Sequence, residues 1–276
     1  MQLAVDVQIP SSHGGLDGEC IYIDTEGSFH IERLKTIAEG LYTHLTNITK
    51  KKRKANESNT NTSESNRKEN EEALLNKTPD NLMNGIYFIR VHDSTELLAV
   101  INRLSSLIDQ SPKVKLVIID SIAFPFRQSL HDVAWRTRIL GGIAQTLQQV
   151  AYEKNIAVVV TNHVTTKFNK TKVKSVDVDI ELNERQKDDL DKVLVNEATI
   201  REIWNTTSHL VPALGETWSH AVTNRLMMHY HLNERCASLM KSPNMKCSTT
   251  VFTITDFGVR DVSSKKEVDP NKISRI

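Results

Sequence analysis

Val114-Lys-Leu-Val-Ile-Ile-Asp120 is the stretch of sequence that decides the fold, because it is almost continuously apolar and ends in a carboxylate. Strands of a parallel sheet that are covered on both faces have this composition. Similar apolar runs of strand length lie at residues 20–24, 86–91 and 156–161. The sequence therefore predicts a parallel sheet that includes these four strands.

Helical patterns separate the predicted strands. Residues 31–45 carry their apolar side chains on one stripe of a helix, and a long helix is predicted over residues 131–155. Shorter strands are predicted at about 222–231, 235–241 and 249–255, with the spacing of an antiparallel meander. This order predicts an α/β fold whose mostly parallel sheet is flanked by helices and followed by an antiparallel extension.

The domain prediction is one core over residues 1–262 with two insertions and a tail. Ala55 is the only apolar residue within 50–72, so this segment cannot bury enough surface to fold and is predicted to be a disordered insertion. A charged insertion with a short amphipathic helix is predicted at about 168–208, and a flexible polar tail at 263–276.

The composition excludes several classes of protein. Thirty-five basic residues against 34 acidic ones leave a formal net charge of +1, so any contact with DNA must come from a local patch. The three cysteines form no Cys-x-x-Cys pair, which argues against a zinc site or a disulfide framework. No apolar run approaches the ~18 residues of a membrane span, and the first residues do not form a signal peptide. We expect a soluble, intracellular protein without membrane contact.

Polar side chains follow three of the predicted strands, at residues 24–27, 120–121 and 161–163. Ligands of open α/β sheets bind at the carboxyl ends of the strands. Two carboxylates and an amide/imidazole pair at these ends predict a magnesium–nucleotide site, in which one acid holds Mg²⁺ through water and the other activates a water. The alternatives are that Asp120 caps the next helix and that Glu26 is a solvated loop acid.

Several segments resemble the RecA-type recombinases of eukaryotes and archaea. Residues 23–29 (Ile-Asp-Thr-Glu-Gly-Ser-Phe) are similar to a signature of this family, 116–121 to its Walker B strand and 160–163 (Val-Thr-Asn-His) to its sensor segment. Residues 122–127, 211–221 and 241–243 are further similar to the C paralogue of the eukaryotic recombinase. The resemblance covers about residues 14–262 apart from the two insertions, and it implies a RecA-like ATPase core.

The resemblance implies ATP and Mg²⁺ as cofactors and assigns candidate roles. Glu26 is expected to polarise the attacking water, and Asp120 to hold Mg²⁺ through water. His163 occupies the sensor position, where the family has glutamine. Arg33 is expected near the adenine, and Asn162 at the nucleotide.

Two basic regions are candidate interaction sites. The resemblance implies two DNA-binding loops, with candidate contacts from Arg127, Arg136, Arg138 and Lys167. The alternative is a solvated basic face. A second region of five consecutive basic residues is similar to a nuclear-import signal, and its alternative is a solvated charge run. It consists of Lys50, Lys51, Lys52, Arg53 and Lys54.

The chain departs from the family at the phosphate-binding loop. None of its ten glycines is followed by lysine, whereas a Walker A loop requires Gly-x-x-x-x-Gly-Lys-Ser/Thr. We expect an N-terminally truncated form, and the alternative is a subunit that lacks the loop. The resemblance implies a nuclear DNA-repair subunit of homologous recombination that binds single-stranded or junction DNA and couples to ATP among other recombinase paralogues. The alternative is a non-catalytic scaffold that bridges other paralogues, so ATP hydrolysis by this chain stays open.

Overall fold

The computed structural model describes residues 1–57, 77–126, 133–168, 208–231 and 233–262. In chain order its first elements are α1 (Gln2–Asp6), β1 (Glu19–Asp24), α2 (Ile31–Glu57), α3 (Pro79–Asn84), β2 (Ile86–Arg90), α4 (Ser94–Gln110), β3 (Val114–Asp120), α5 (Val133–Lys154) and β4 (Ala157–Val160). The elements that follow are β5 (Val164–Phe168), β6 (Ser208–Pro212), α6 (Gly215–Ala221), β7 (Arg225–His231), β8 (Glu234–Lys241), β9 (Ser248–Thr255) and β10 (Gly258–Asp261).

The first four strands, β1 to β4, form a parallel sheet. Its strand order is β2-β1-β3-β4, and all neighbouring strands are parallel. Strands β1 and β3 are in register, so that Asp24 lies beside Asp120 at the carboxyl end of the sheet. The predicted α/β fold with a mostly parallel sheet is therefore confirmed.

Alternate residues of the central strands enter different hydrophobic cores. Ile23 and Ile119 pack in the core that includes the buried faces of α4 and α5. Tyr22 and Ile118 pack on the opposite face, with Ala4 of α1. Since both faces of the sheet are used for packing, only the strand ends can present polar side chains without burying them unpaired.

Helix α2 is longer than the sequence analysis predicts. The apolar stripe indicates an end near Leu45, but the helix continues through Glu57. The start of the predicted disordered insertion at Lys50 is therefore wrong, because residues 50–57 are helical; residues 58–72 of that insertion lie outside the described residues. Lysine and arginine are good helix formers, and residues 45–57 contain no glycine or proline that would end the helix.

The predicted antiparallel extension is a four-stranded sheet in the order β10-β9-β8-β7. A separate antiparallel pair, β5 and β6, flanks residues 169–207 and was not predicted. The amphipathic helix expected within 168–208 and the tail at 263–276 fall outside the described residues. Among the helices that the structure describes, none combines the length and the apolar character needed to cross a membrane.

Candidate functional site

The loop after β1 is organised by the side chain of Asp24. This carboxylate is buried and accepts the backbone N–H groups of Glu26 at 3.0 Å and Gly27 at 2.8 Å. Gly27 adopts a left-handed φ of 77°, which glycine reaches without strain. Nη1 of Arg90 lies 3.4 Å from Oδ1 of Asp24 and donates to its backbone carbonyl oxygen at 2.9 Å. The loop therefore holds Glu26 in a fixed place at the strand end.

Glu26 joins the carboxyl ends of three strands. Its Oε1 accepts a hydrogen bond from the Ser121 hydroxyl at 2.5 Å and lies 2.8 Å from Nε2 of His163. Ser121 is itself fixed, because its backbone N–H donates to Oγ1 of Thr25 at 2.9 Å, and the Thr25 hydroxyl donates to the Ser121 carbonyl oxygen at 2.7 Å. About a quarter of the Glu26 side chain is exposed (26%), so a solvent molecule can reach this carboxylate.

Asp120 carries a hydroxyl donor on each of its carboxylate oxygens. The phenol of Tyr22 donates to Oδ2 at 2.5 Å, and Oγ1 of Thr161 donates to Oδ1 at 2.6 Å. Burial raises the pKa of Tyr22, and its hydrogen bond to Asp120 raises it further, so the phenol remains a protonated donor at neutral pH. Asp120 itself is only partly buried at the end of β3.

The segment after β4 links this cluster to the β5–β6 pair. Nδ2 of Asn162 donates to the carbonyl oxygen of Ala213 at 2.9 Å, and its Oδ1 accepts the N–H of His163 at 2.8 Å. The Ala213 N–H donates to the carbonyl oxygen of His163 at 2.8 Å. Among the described residues, the buried Nδ1 of His163 has no hydrogen-bond partner. The Asn162 amide is thus engaged with the backbone.

Met1, which directly precedes α1, packs against the hydrophobic core that contains Tyr22 and Ile118. Burial lowers the pKa of the Met1 amino group, while the nearby carboxylate of Asp120 acts in the opposite direction.

The structure does not bring all predicted site residues to this cluster. The guanidinium of Arg33 donates to the carbonyl oxygens of Thr255 at 2.7 Å and Asp256 at 2.6 Å, so it ties α2 to the turn between β9 and β10. Arg136 is half-buried and Arg138 is exposed, both on α5. Two further candidates cannot be placed by their side chains: Arg127 lies outside the described residues, and only the backbone of Lys167 is described, in β5.

The donor set at Asp120 fits a magnesium ion that is held mainly by other ligands. Within the described part of the chain, no group of three or more carboxylate, imidazole or thiol side chains lies together as a metal cage. Mg²⁺ commonly binds through one or two carboxylates together with waters and substrate phosphates. A single carboxylate, oriented by two hydroxyl groups and partly open to solvent, is compatible with that mode of binding.

Sequence reasoning identified the strand-end acids but missed the groups that orient them. Tyr22 lies inside a buried strand, where a tyrosine reads as an ordinary core residue. The available signal was its position two residues before Asp24, on the same face of β1. The role of Asp24 was also missed, although an aspartate followed three residues later by Gly27 in a turn favours side-chain capping of backbone N–H groups.

Comparison with known proteins gives the family. The Rad51 family model matches residues 1–64 and 60–181, which is more than half of the chain. The chain belongs to the Rad51 family of RecA-type recombination proteins. The predicted resemblance is confirmed at this level.

Individual relatives agree with this family. The chain is 40% identical over 263 residues to DNA repair protein RAD51 homolog 3 of Cricetulus griseus, covering 95% of the chain and 59% of the relative. It is 32% identical over 261 residues to the protein of the same description from Dictyostelium discoideum, covering 95% of the chain and 56% of the relative. It is 26% identical over 264 residues to DNA repair and recombination protein RadA of Aeropyrum pernix, covering 94% and 61%. The chain thus spans between 56% and 61% of the length of these relatives.

Proposed function

We propose that the chain acts in DNA repair by homologous recombination, as a subunit that binds DNA and couples this binding to ATP within a complex of related paralogues. The relatives are described as DNA repair proteins, which supports the general role. The observation that carries the ATP part is the pairing of Glu26 and Asp120 at the ends of adjacent parallel strands, each held by its own hydrogen-bond donors.

The cofactors of the proposed site are ATP and Mg²⁺. The ion supplies charge neutralisation on the phosphate oxygens when it is bound. Asp120 would hold the hydrated ion, and the hydroxyl groups of Tyr22 and Thr161 keep its carboxylate in one orientation. Glu26 would accept a hydrogen bond from the attacking water through Oε2 and take up its proton there, because Ser121 and His163 both contact Oε1.

His163 has the proposed role of a sensor. Its imidazole contacts Glu26, and its backbone binds Ala213 after β6. A movement of the β5–β6 pair would therefore be transmitted to Glu26 through the backbone hydrogen bond from Ala213 to His163 and the contact of the His163 imidazole with Glu26. This connection supports coupling between the nucleotide site and the DNA-binding segment that the resemblance implies near Lys167.

A non-catalytic scaffold is the second candidate function. One observation favours it, namely that no glycine in these 276 residues is followed by lysine. Without the backbone amides and lysine of a phosphate-binding loop, charge that develops in the transition state lacks a preorganised partner. In that case the chain bridges other paralogues, and its acids have no catalytic use.

ATP hydrolysis with and without single-stranded DNA separates the two functions. We expect background hydrolysis by the 276-residue chain, and DNA-stimulated hydrolysis by a version extended at its amino end with a Gly-x-x-x-x-Gly-Lys-Thr loop. Glu26→Gln in the extended protein should abolish the stimulated rate, since an amide cannot accept the proton. A matched control is Glu39→Gln, an exposed acid on α2. A stimulated rate that survives Glu26→Gln contradicts the catalytic assignment.

The proposed DNA contacts predict a strong dependence on salt. Because the net charge is only +1, a local patch must neutralise the phosphates. Replacing Arg136 and Arg138 together by alanine should lower the slope of log K against log salt by about 1.5 if each contacts one phosphate. The same double replacement at Lys35 and Lys113, exposed lysines of α2 and of the turn before β3, should leave the slope unchanged. If the Arg136/Arg138 and Lys35/Lys113 double variants have the same slope, Arg136 and Arg138 do not contact the DNA.

The basic run at residues 50–54 is the proposed nuclear-import signal. Lys50 and Lys51 are exposed on the last turns of α2, where an import receptor can reach them. Changing all five basic residues to serine in a fluorescent fusion should shift the protein toward the cytoplasm. The fusion is to be expressed alone, because a bound partner with its own signal would carry either form into the nucleus. Full nuclear accumulation of the serine variant shows that the run is only a charged surface.

A further inference from the structure

The phenol of Tyr22 is a buried group that reaches the edge of the site. Its ring is 2% exposed and packs against Phe29, with 4.9 Å between the ring centroids. Phe29 packs in turn against Phe88 at 4.6 Å. This packing fixes the ring, so that the position of its hydroxyl group at Asp120 is set by the core and not by solvent.

The orientation of a carboxylate is restricted more strongly by two hydrogen-bond donors than by a single donor. The terminal torsion of an aspartate is broad, so an unsupported carboxylate rotates easily. Tyr22 and Thr161 bind different oxygens of Asp120, at 2.5 and 2.6 Å, and therefore define the plane of the group. Each carboxylate oxygen has about two acceptor positions, so each oxygen keeps one free position for a further donor.

A second tyrosine in the same sheet also donates to a carboxylate, and it shows what a purely structural pair of this kind looks like. Tyr87 on β2 donates to Oε2 of Glu19 at 2.8 Å, in a second tyrosine–carboxylate pair. Glu19 begins β1, so this pair lies at the opposite end of the sheet from Asp120. The two pairs share their chemistry but differ in location. Tyr22 acts on the carboxylate beside Glu26, whereas the Tyr87 pair is exposed and far from the cluster.

We propose that Tyr22 is a positioning residue of the magnesium site, which orients the Asp120 carboxylate together with Thr161. This inference rests on the proposed function, because it assumes that Asp120 holds the hydrated ion. Partners that hydrogen-bond to metal-binding groups commonly affect metal affinity as well as fold. Tyr22 should therefore influence metal binding beyond any effect on stability.

The test is the binding of Mn–ATP to the form extended at its amino end with a phosphate-binding loop, measured by equilibrium dialysis as the Mn²⁺-dependent retention of ATP. Tyr22→Phe keeps the buried ring and removes only the hydroxyl group. We expect it to weaken the Asp120-dependent binding of Mn–ATP about tenfold. Thr161→Val removes the other donor and should act in the same direction. Tyr87→Phe is the matched control and should bind Mn–ATP as the parent does.

Asp120→Asn separates this inference from the proposed function. If the parent and Asp120→Asn bind Mn–ATP equally, Asp120 holds no metal, and both proposals are overturned. If Asp120→Asn weakens binding but Tyr22→Phe does not, only the role of Tyr22 is overturned. The same holds if Tyr22→Phe lowers the unfolding midpoint and leaves Mn–ATP affinity at the parent value. Weaker binding in Tyr22→Phe, with Tyr87→Phe unchanged, supports the assignment.

Discussion

The two four-stranded sheets of the described residues use their strands in opposite ways. In the parallel sheet, β1 and β3 bury side chains on both faces, and their polar groups stand at the strand ends. In the antiparallel sheet, β7 alternates between half-buried and exposed residues, with Leu226, Met228 and Tyr230 on the exposed face. Its polar groups lie along the strands, as in the hydrogen-bonded row of His229, Ser238 and Thr249.

This difference explains where a catalytic cluster can form. Parallel strands all end at one edge, so their terminal acids and hydroxyl groups are brought together. Glu26 and Asp120 meet in this way, although 94 positions separate them in the sequence. An antiparallel sheet brings alternate strand ends to opposite edges and spreads its polar side chains over a face. We therefore assign chemistry to the parallel sheet and support of α2 to the antiparallel sheet.

The largest expected difference between the sheets is in the cost of removing an apolar side chain. Ile119 of β3 is fully buried, whereas Met228 of β7 is 55% exposed. Ile119→Ala should lower the free energy of unfolding by about 3 kcal/mol, through lost burial and an internal cavity. Met228→Ala should change it by less than about 0.5 kcal/mol. Urea unfolding of both variants measures this, and equal costs mean that the β7 face is covered by another part of the protein.

Replacing one acidic residue in each sheet by alanine should change the free energy of unfolding by less than the Ile119 replacement does. Asp24→Ala leaves the N–H groups of Glu26 and Gly27 without their acceptor and removes the partner of Arg90. We expect a loss of about 2 kcal/mol in the free energy of unfolding. Asp261→Ala, at an exposed position of β10, should cost less than about 0.5 kcal/mol. Similar values for the two variants contradict the role of Asp24 as the organiser of its loop.

The rates at which the three cysteine thiols are alkylated measure how well each sheet shields its interior from solvent. Burial raises the pKa of the Cys20 thiol in β1 from 9.0 to about 12, while Cys247 before β9 is exposed. At pH 8, Cys247 should be alkylated at least about 100-fold faster than Cys20 or the buried Cys236, because the thiolate is the nucleophile. Mass spectrometry of partly modified protein measures the order, and fast labelling of Cys236 shows that the inner face of the antiparallel sheet is open.

The raised pKa of Cys20 also sets a pH dependence. The folded thiol stays protonated while the unfolded one ionises above about pH 9. The unfolded state then binds fewer protons, so the free energy of unfolding should fall as the pH rises from about 9 towards 12. Cys20→Ser should reduce the slope of the free energy of unfolding against pH in this range. An unchanged slope would mean that other titrating groups cause the pH dependence.

The sequence was sufficient for the fold and for the two acids, but not for what surrounds them. Residues 114–120 predict a buried parallel strand because their composition depends only on local burial. The contact of Tyr22 with Asp120 depends on strand register across 98 positions, which no local pattern contains. Arg33 was expected near the adenine, and its hydrogen bonds to the β9–β10 turn depend on how α2 meets the second sheet. The length of α2 was missed because a lysine run suits both a helix and a solvated coil.

Binding of Mg–ATP tests the central claim most directly, namely that the carboxyl edge of the parallel sheet is the functional site. The protein to use is the form extended at its amino end with a phosphate-binding loop. Asp120→Asn should weaken Mg–ATP binding at least about tenfold. Asp109→Asn, an exposed acid paired with Lys154 at the end of α4, should bind as the parent does. Equal affinity of Asp120→Asn and its parent would contradict the claim.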